Sequence, residues 1–181
     1  MLLTWSCSHD YNSNTLDLVK YQWNMWPEMG ADPGADAIYK AEAEVADLPI
    51  NAPSCGWDNL DRGMGRLVRI PAIQDSNFEP EEQSSVVWFH VRHTLPELWA
   101  EREIALSFDG VSHRAEIYLN EELVGAYLGE NTPFTIDITD KVYYVRDNHL
   151  AIRVYDPDPG SCGITGKILV VSKPNDQTPR N

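Results

Sequence analysis

Acidic side chains at close spacing are the first groups in this sequence that could do chemistry. Two carboxyl groups can serve as a general acid and a general base when rigid elements hold them around a reacting bond. The close pairs are Glu81-Glu82, Glu101 with Glu103, and Glu121-Glu122. Neighbouring acids in loops and turns are usually solvated charges rather than catalytic groups. We therefore predict no catalytic residue in this chain.

Histidines are the second group that could do chemistry. Five of them are spread along the chain, at His9, His90, His93, His113 and His149. None belongs to an HExxH motif, and neither a Gly-x-Ser-x-Gly elbow nor a glycine-rich phosphate loop is present. His90 and His93 lie three apart in a predicted strand, so they face opposite sides and cannot share one metal ion. We expect structural histidines, no metal site and no cofactor.

The cysteines, Cys7, Cys55 and Cys162, form no CxxC motif and no cluster with histidine. An odd number of cysteines cannot all pair within one chain. We expect reduced and partly buried thiols. One disulfide among the three stays open as an alternative.

The charge balance excludes two classes of partner. The chain has 181 residues, with 28 acidic and 14 basic side chains and a formal net charge of −14. Such a charge repels nucleic-acid phosphates and anionic headgroups, so we expect neither nucleic-acid nor membrane binding. The apolar start, residues 1–7, has no basic region and is too short for a signal peptide. This favours a cytoplasmic location.

The elements that position these groups are strands with an apolar–polar alternation of period two. In residues 114–119, Ala115, Ile117 and Leu119 alternate with polar side chains, so one face should be dry and the other wet. The other segments of this kind are 86–91, 104–108, 134–138, 149–155 and 167–172. The pattern predicts an all-β fold, an antiparallel β-sandwich formed by a single domain.

The first half of the chain is less regular. Residues 35–46 are rich in helix formers, which favours a helix, although a strand stays open as the alternative. We expect the domain core to span about 14–174 and residues 175–181 to form a frayed tail.

Four segments in order resemble the N-terminal sugar-binding domain of glycoside hydrolase family 2, the family of β-galactosidases, β-glucuronidases and β-mannosidases. They are Phe-Asp-Gly-Val (108–111), a strand ending at Asn120, Pro-Phe-Thr-Ile-Asp-Ile-Thr (133–139) and Asn-His-Leu-Ala-Ile-Arg-Val (148–154). The resemblance implies a jelly-roll of the galactose-binding-like type.

The sequence departs from the family pattern in three places. Asn120 is followed by Glu121-Glu122, whereas the family usually has Gly after this Asn, and the change suggests a longer or bulged turn. No Asn stands at residues 83–85, where the family has a sugar-facing one. Thr165-Gly166 replaces the family's aromatic-Arg pair.

The resemblance also implies a function for the parent protein. Family members are retaining β-glycosidases, whose two catalytic glutamates lie in a separate (β/α)8 barrel. The sugar-binding domain packs on that barrel and shapes its active site, so the expected partners are the barrel and carbohydrate. We expect no hydrolysis by this chain alone.

Three residues are candidates for contact with the sugar. In several β-galactosidases of the family, an acidic residue in the loop before the closing strand binds a substrate hydroxyl, and Asp156 and Asp158 occupy that loop here. The alternative for both is a role in turn formation. Trp57 is the tryptophan most typical of a loop and could stack on a sugar ring, whereas Trp88 and Trp99 fit core packing better.

Two other functions stay open, an independent carbohydrate-binding module and a purely structural interaction domain. Self-association into a homo-oligomer is also open. A calcium ion would need six to eight oxygen ligands, more than Asp156 and Asp158 supply, so we predict none.

Overall fold

A computed structural model describes residues 14–31, 50–129 and 131–174 of the chain. The predicted helix at 35–46, the predicted tail at 175–181 and Cys7 lie outside these ranges. The strands are β1 (Thr15–Asp17), β2 (Trp23–Pro27), β3 (Arg66–Val68), β4 (Ala72–Ile73), β5 (Val86–Thr94), β6 (Arg102–Phe108), β7 (Arg114–Leu119), β8 (Glu122–Leu128), β9 (Phe134–Asp137), β10 (Asp147–Tyr155), β11 (Gly163–Ile164) and β12 (Ile168–Pro174). One short α-helix, α1, spans Trp57–Asp61, and 3-10 turns span Leu18–Lys20, Gln74–Ser76, Pro80–Glu82 and Glu97–Trp99.

The strands form two main sheets and a short ribbon. One sheet has four strands in the order β1-β12-β6-β9, and the other has six in the order β3-β2-β5-β10-β7-β8. The ribbon pairs β11 with β4. Every pair between these strands is antiparallel. The prediction of an all-β antiparallel sandwich is confirmed.

Alternation along the strands forms the core between the sheets. Phe89 of β5 and Ile152 of β10 lie opposite each other and are fully buried. Leu106 of β6 and Val170 of β12 do the same in the other sheet. Full burial of such side chains contributes about 1.5–3 kcal/mol each. This inter-sheet core is what fixes the direction of every other side chain on the strands.

The second face of the six-stranded sheet is covered in part, and the expectation of a solvated polar face on 114–119 is wrong. Glu116 is 4% exposed and Tyr118 is fully buried. Residues 50–61, which include α1, lie over this outer face. The backbone N–H of Asn51 donates to the Tyr118 hydroxyl, and Leu60 packs in a cluster with Tyr118 and Trp88. We call residues 50–61 the cover segment.

The β7–β8 hairpin turn is tight rather than longer or bulged. Leu119 pairs with Glu122, so Asn120 and Glu121 alone form the loop, and both have a positive φ, 53° and 70°. This is the geometry of the primed two-residue turns. The irregularity lies inside the hairpin instead, as a register shift between Ile117 and Tyr118.

Two further expectations concern thiols and membranes. Cys55 and Cys162 carry free thiols in the described part of the chain. Burial raises the pKa of both thiols above its usual value. No helix among the described residues is long and apolar enough to cross a bilayer.

Candidate functional site

Two loops meet at the end of the sandwich where β10 finishes and β5 begins. The backbone N–H of Asp156 donates to the carbonyl oxygen of Ser85 at 3.0 Å, and that of Asp75 donates to Gly160 at 3.0 Å. The β10–β11 loop, residues 156–162, therefore lies against residues 74–85, which lead into β5. The first loop carries the predicted sugar-binding candidates Asp156 and Asp158, and the second includes residues 83–85, where the sequence lacks the family's sugar-facing Asn.

Gln74 holds the two loops together from within. Its side chain is fully buried, and Nε2 donates to the carbonyl oxygens of Ser84 and of Pro159, the latter at 2.7 Å. Its Oε1 accepts from the backbone N–H of Ser84 at 2.9 Å. One side chain thus satisfies groups from both loops, which fixes their spacing.

Asp156 and Asp158 occupy different positions in this loop. Asp156 is 9% exposed, and its Oδ1 accepts from the backbone N–H of Asp158 at 2.9 Å, which is an Asx turn. Asp158 is exposed, and its Oδ2 accepts from the Ser161 hydroxyl at 2.7 Å. Asp156 therefore shapes the turn, and Asp158 is the carboxylate of the two that can meet a ligand.

Asp75 and Gln83 are polar groups at this end that sequence reasoning did not select. Gln83 Nε2 donates to Asp75 Oδ1 at 3.1 Å and to the Phe78 carbonyl oxygen at 3.1 Å. Asp75 is exposed, like Asp158. Gln83 could have been selected from the sequence by its carboxamide group, because it stands where the family has a sugar-facing Asn. Carboxylates accept hydrogen bonds from hydroxyl groups, so Asp75 and Asp158 are the exposed acceptors that this end would offer to a polyol.

Trp57 lies on a different element from the aspartates. It is the first residue of α1 and is half-buried on the outer face of the six-stranded sheet. Its ring centroid lies 5.6 Å from that of Trp88 in an edge contact and 5.2 Å from that of Tyr118. Trp57 is therefore partly occupied by protein packing, and Trp88 and Trp99 are buried as predicted.

A buried charge network lies beneath the cover segment. Arg153 Nη1 donates to Glu116 Oε1 at 2.7 Å, and Arg153 Nε lies 3.9 Å from Glu28 Oε2. Trp88 Nε1 donates to the same oxygen of Glu28 at 2.8 Å. Burial raises the pKa of Glu116, and the neighbouring Arg153 opposes that increase. One buried cation thus compensates two buried carboxyl groups.

Glu28 and Glu116 also bind the cover segment directly. Asn51 Nδ2 donates to both carboxylate oxygens of Glu116 at 3.1 Å, and the backbone N–H of Ser54 donates to Glu28 Oε1 at 2.8 Å. The network therefore anchors residues 50–61, and Trp57 with them, on the sheet.

A cluster of metal-ligating side chains lies on the same outer face. Asp61, His90 and His149 each offer one ligand atom, and these atoms lie within 4.8 Å of one another. Burial lowers the pKa of His90 to about 4, so its imidazole is neutral at pH 7. His93 faces the inter-sheet core, on the opposite side from His90 as predicted. The cluster is not visible in the sequence, because its members stand on three separate elements.

Comparison with known proteins identifies the family. The model for glycosyl hydrolases family 2, sugar binding domain, matches residues 36–166. A β-galactosidase of Thermoanaerobacter pseudethanolicus is 32% identical over 78 residues, which are 42% of this chain and 10% of the relative. A putative β-glucuronidase of Formosa agariphila is 22% identical over 167 residues, 87% of this chain and 17% of the relative.

A solved structure shows the same fold. The crystal structure of a glycosyl hydrolase family 2 member from Bacteroides cellulosilyticus matches 90% of this chain and 21% of its own, with a TM-score of 0.62 and 18% identity. The chain thus spans between a tenth and about a fifth of the length of these relatives. On the match over residues 36–166, this chain belongs to the sugar-binding domain family of the family 2 glycosyl hydrolases.

Proposed function

We propose that this chain is the non-catalytic sugar-binding domain of a larger retaining β-glycosidase. The observation that carries the proposal is the family match over residues 36–166, together with the junction of residues 74–85 and 156–162 at one end of the sandwich. The relatives are named as a β-galactosidase and a putative β-glucuronidase. The substrate class is therefore a terminal β-linked galactoside or glucuronide.

In this proposal a (β/α)8 barrel supplies both catalytic carboxyl groups, and this domain packs on the barrel beside its entrance. Asp158 accepts hydrogen bonds from hydroxyl groups of the bound sugar. Asp156 and Gln74 act as positioning residues, because they set the course of the loop that carries Asp158. Asp75 lies on the neighbouring loop and offers a second acceptor.

The Asp158→Ala variant tests this role in the glycosidase that carries the domain joined to its barrel. A hydrogen bond to a charged group contributes about 1.5–3 kcal/mol, so kcat/KM should fall by roughly 10- to 150-fold. Asp140→Ala, at an exposed carboxylate on another loop, is the matched control and should leave kcat/KM unchanged. Equal activity of the Asp158→Ala variant and the wild type would contradict the role given to this carboxylate.

An independent carbohydrate-binding module is the second candidate. The exposed carboxylates of Asp75 and Asp158 at one end of the sandwich favour it, since such modules bind sugar in end loops. Saturable sugar binding by the chain alone, lost on Asp158→Ala, would support the module over the accessory domain.

A further inference from the structure

Strand register brings two distant histidines to one face of the six-stranded sheet. In the antiparallel pair of β5 and β10, His90 lies opposite Ala151. His149 is two residues before Ala151, so it is the diagonal neighbour of His90 on the same face. The two imidazole centroids are 5.6 Å apart. Asp61, the last residue of α1, approaches both rings from the cover segment.

The side chains of this cluster lie close together, but their buried nitrogen atoms lack hydrogen bonds. Asp61 Oδ1 lies 3.0 Å from His90 Nε2 and 3.0 Å from His149 Nδ1. Neither of these nitrogens makes a hydrogen bond of acceptable geometry, and the same is true of His90 Nδ1. The side chain of His90 is only 1% exposed, so solvent does not compensate for this. A buried polar group without a partner costs free energy, and a ligand that satisfies it restores that loss.

We propose that Asp61, His90 and His149 form a binding site for a divalent transition-metal ion, zinc above all. Two imidazole nitrogens and one carboxylate oxygen form a ligand set that suits zinc, whereas calcium and magnesium prefer oxygen ligands. Tetrahedral zinc with bonds of about 2.0–2.1 Å places its ligand atoms roughly 3.3 Å apart. The two 3.0 Å separations in this cluster are close to that value, and the three ligand atoms all lie within 4.8 Å of one another.

The site is open to solvent on one side, so an ion can enter it. One coordination position of the ion then remains available to water. The side chains of Asp61 and His149 are 25% and 29% exposed, which opens the site toward solvent on one side. Arg92 is the nearby positive charge, and its guanidinium donates to the backbone carbonyl of Asp61. Because Arg92 is exposed, solvent and salt screen its repulsion of the ion.

The ion has a structural consequence that does not depend on the proposed sugar binding. It joins the end of α1 to β5 and β10, so it fastens the cover segment on the sheet. Trp57 begins the same helix, four residues before Asp61. Zinc would therefore stabilise the fold and hold Trp57 in place.

Titration of the untagged, chelator-treated chain with zinc chloride tests the site directly. We expect saturable binding of one zinc per chain and a rise in Tm that a chelator reverses. Asp61→Asn and His149→Ala should each weaken the affinity at least tenfold, because each removes or neutralises one ligand. His113→Ala removes a histidine that lies just before β7, outside the cluster, and this variant should bind zinc like the wild type.

Two further measurements distinguish loss of zinc binding from loss of the fold and report the coordination of the ion. Circular dichroism of the metal-free variants checks that both substitutions at the exposed side of the site leave the fold intact. Cobalt(II) should give the strong visible absorption of a four-coordinate ion in the wild type, and this absorption should be lost in His149→Ala. Absence of saturation in the wild type, or equal zinc affinity in all variants, would overturn the proposal.

Discussion

At the scale of single residues, the stability of the outer sheet face depends on Arg153. Its guanidinium is the buried cation between Glu28 and Glu116. Removing one partner of a buried ion pair leaves an uncompensated charge, which costs about 3–5 kcal/mol. Arg153→Met should therefore lower the free energy of unfolding by that amount in a urea titration. Arg69→Met, at an exposed arginine, should change it by less than about 0.5 kcal/mol, and equal effects would contradict the network's role.

His93 gives the domain a pH dependence of its own. Burial lowers its pKa to about 4 from 6.5, while Asp147 favours the charged form and His149 opposes it. Below about pH 6.5 the unfolded chain gains a proton that the folded chain takes up only near pH 4. His93 therefore leaves the free energy of unfolding at its full value above pH 6.5, and this free energy decreases as the pH falls from 6.5 toward 4.

The His93→Leu variant measures this contribution. A pKa difference of about 2.5 corresponds to roughly 3 kcal/mol. Urea unfolding of the metal-free chain should show the wild type losing up to that much more stability than His93→Leu between pH 6.5 and pH 4. Parallel pH profiles of the two proteins would show that His93 is not buried in its neutral form.

At the scale of elements, the β7–β8 turn carries a measurable conformational cost. Glu121 has a φ of 70°, in the left-handed region that costs a side-chain-bearing residue roughly 1–2 kcal/mol. Glu121→Gly removes that cost and adds some entropy to the unfolded chain, so the free energy of unfolding should rise by about 0.5–1 kcal/mol.

Glu122→Gly is the matched control for the turn. Glu122 begins β8, pairs with Leu119 and forms an ion pair with Lys141 at 2.6 Å, so the same substitution should lower stability there. Thermal unfolding of both variants checks the signs. A loss of stability in Glu121→Gly would contradict the turn geometry described above.

The strands could be predicted from the sequence because most positions on their inner faces are apolar with a period of two. Phe89, Leu106 and Ile152 lie on these inner faces, and a shift of one residue in strand register would move them to the opposite face of the sheet. The cover segment could not be predicted in the same way. Glu116 and Tyr118 have the polarity of surface residues, and hydrogen bonds from Asn51 and Arg153, which are distant in sequence, help to make their burial favourable.

The two candidate sites differ in how far the sequence predicts them. The loop with Asp156 and Asp158 follows directly from chain order, since it connects two predicted strands. Its neighbour, residues 74–85, meets it through a short ribbon, β4 with β11, that has only two residues in each strand. The Asp61–His90–His149 cluster needs the register of β5 and β10 together with the position of α1, and no local pattern encodes that combination.

At the level of the whole molecule, the domain has surface features that bear on its proposed place in a larger enzyme. It is acidic, with a formal net charge of −14, and the described residues form a closed inter-sheet core. Several large apolar side chains nevertheless stay at least 60% exposed, namely Met29, Ile50, Leu67 and Val145. In the proposed function, the catalytic barrel covers apolar surface of this kind.

Assays on the purified chain alone distinguish an accessory domain from an enzyme or an independent sugar-binding module. Chromogenic β-galactosides, β-glucuronides and β-mannosides are assayed for hydrolysis, and the corresponding sugars are titrated calorimetrically. We expect no turnover, and sugar binding weaker than about 1 mM, because in the proposed function the barrel supplies the catalytic groups and most contacts. Hydrolysis that stays with the chain through purification would contradict the account, and tight binding abolished by Asp158→Ala would make the chain an independent carbohydrate-binding module.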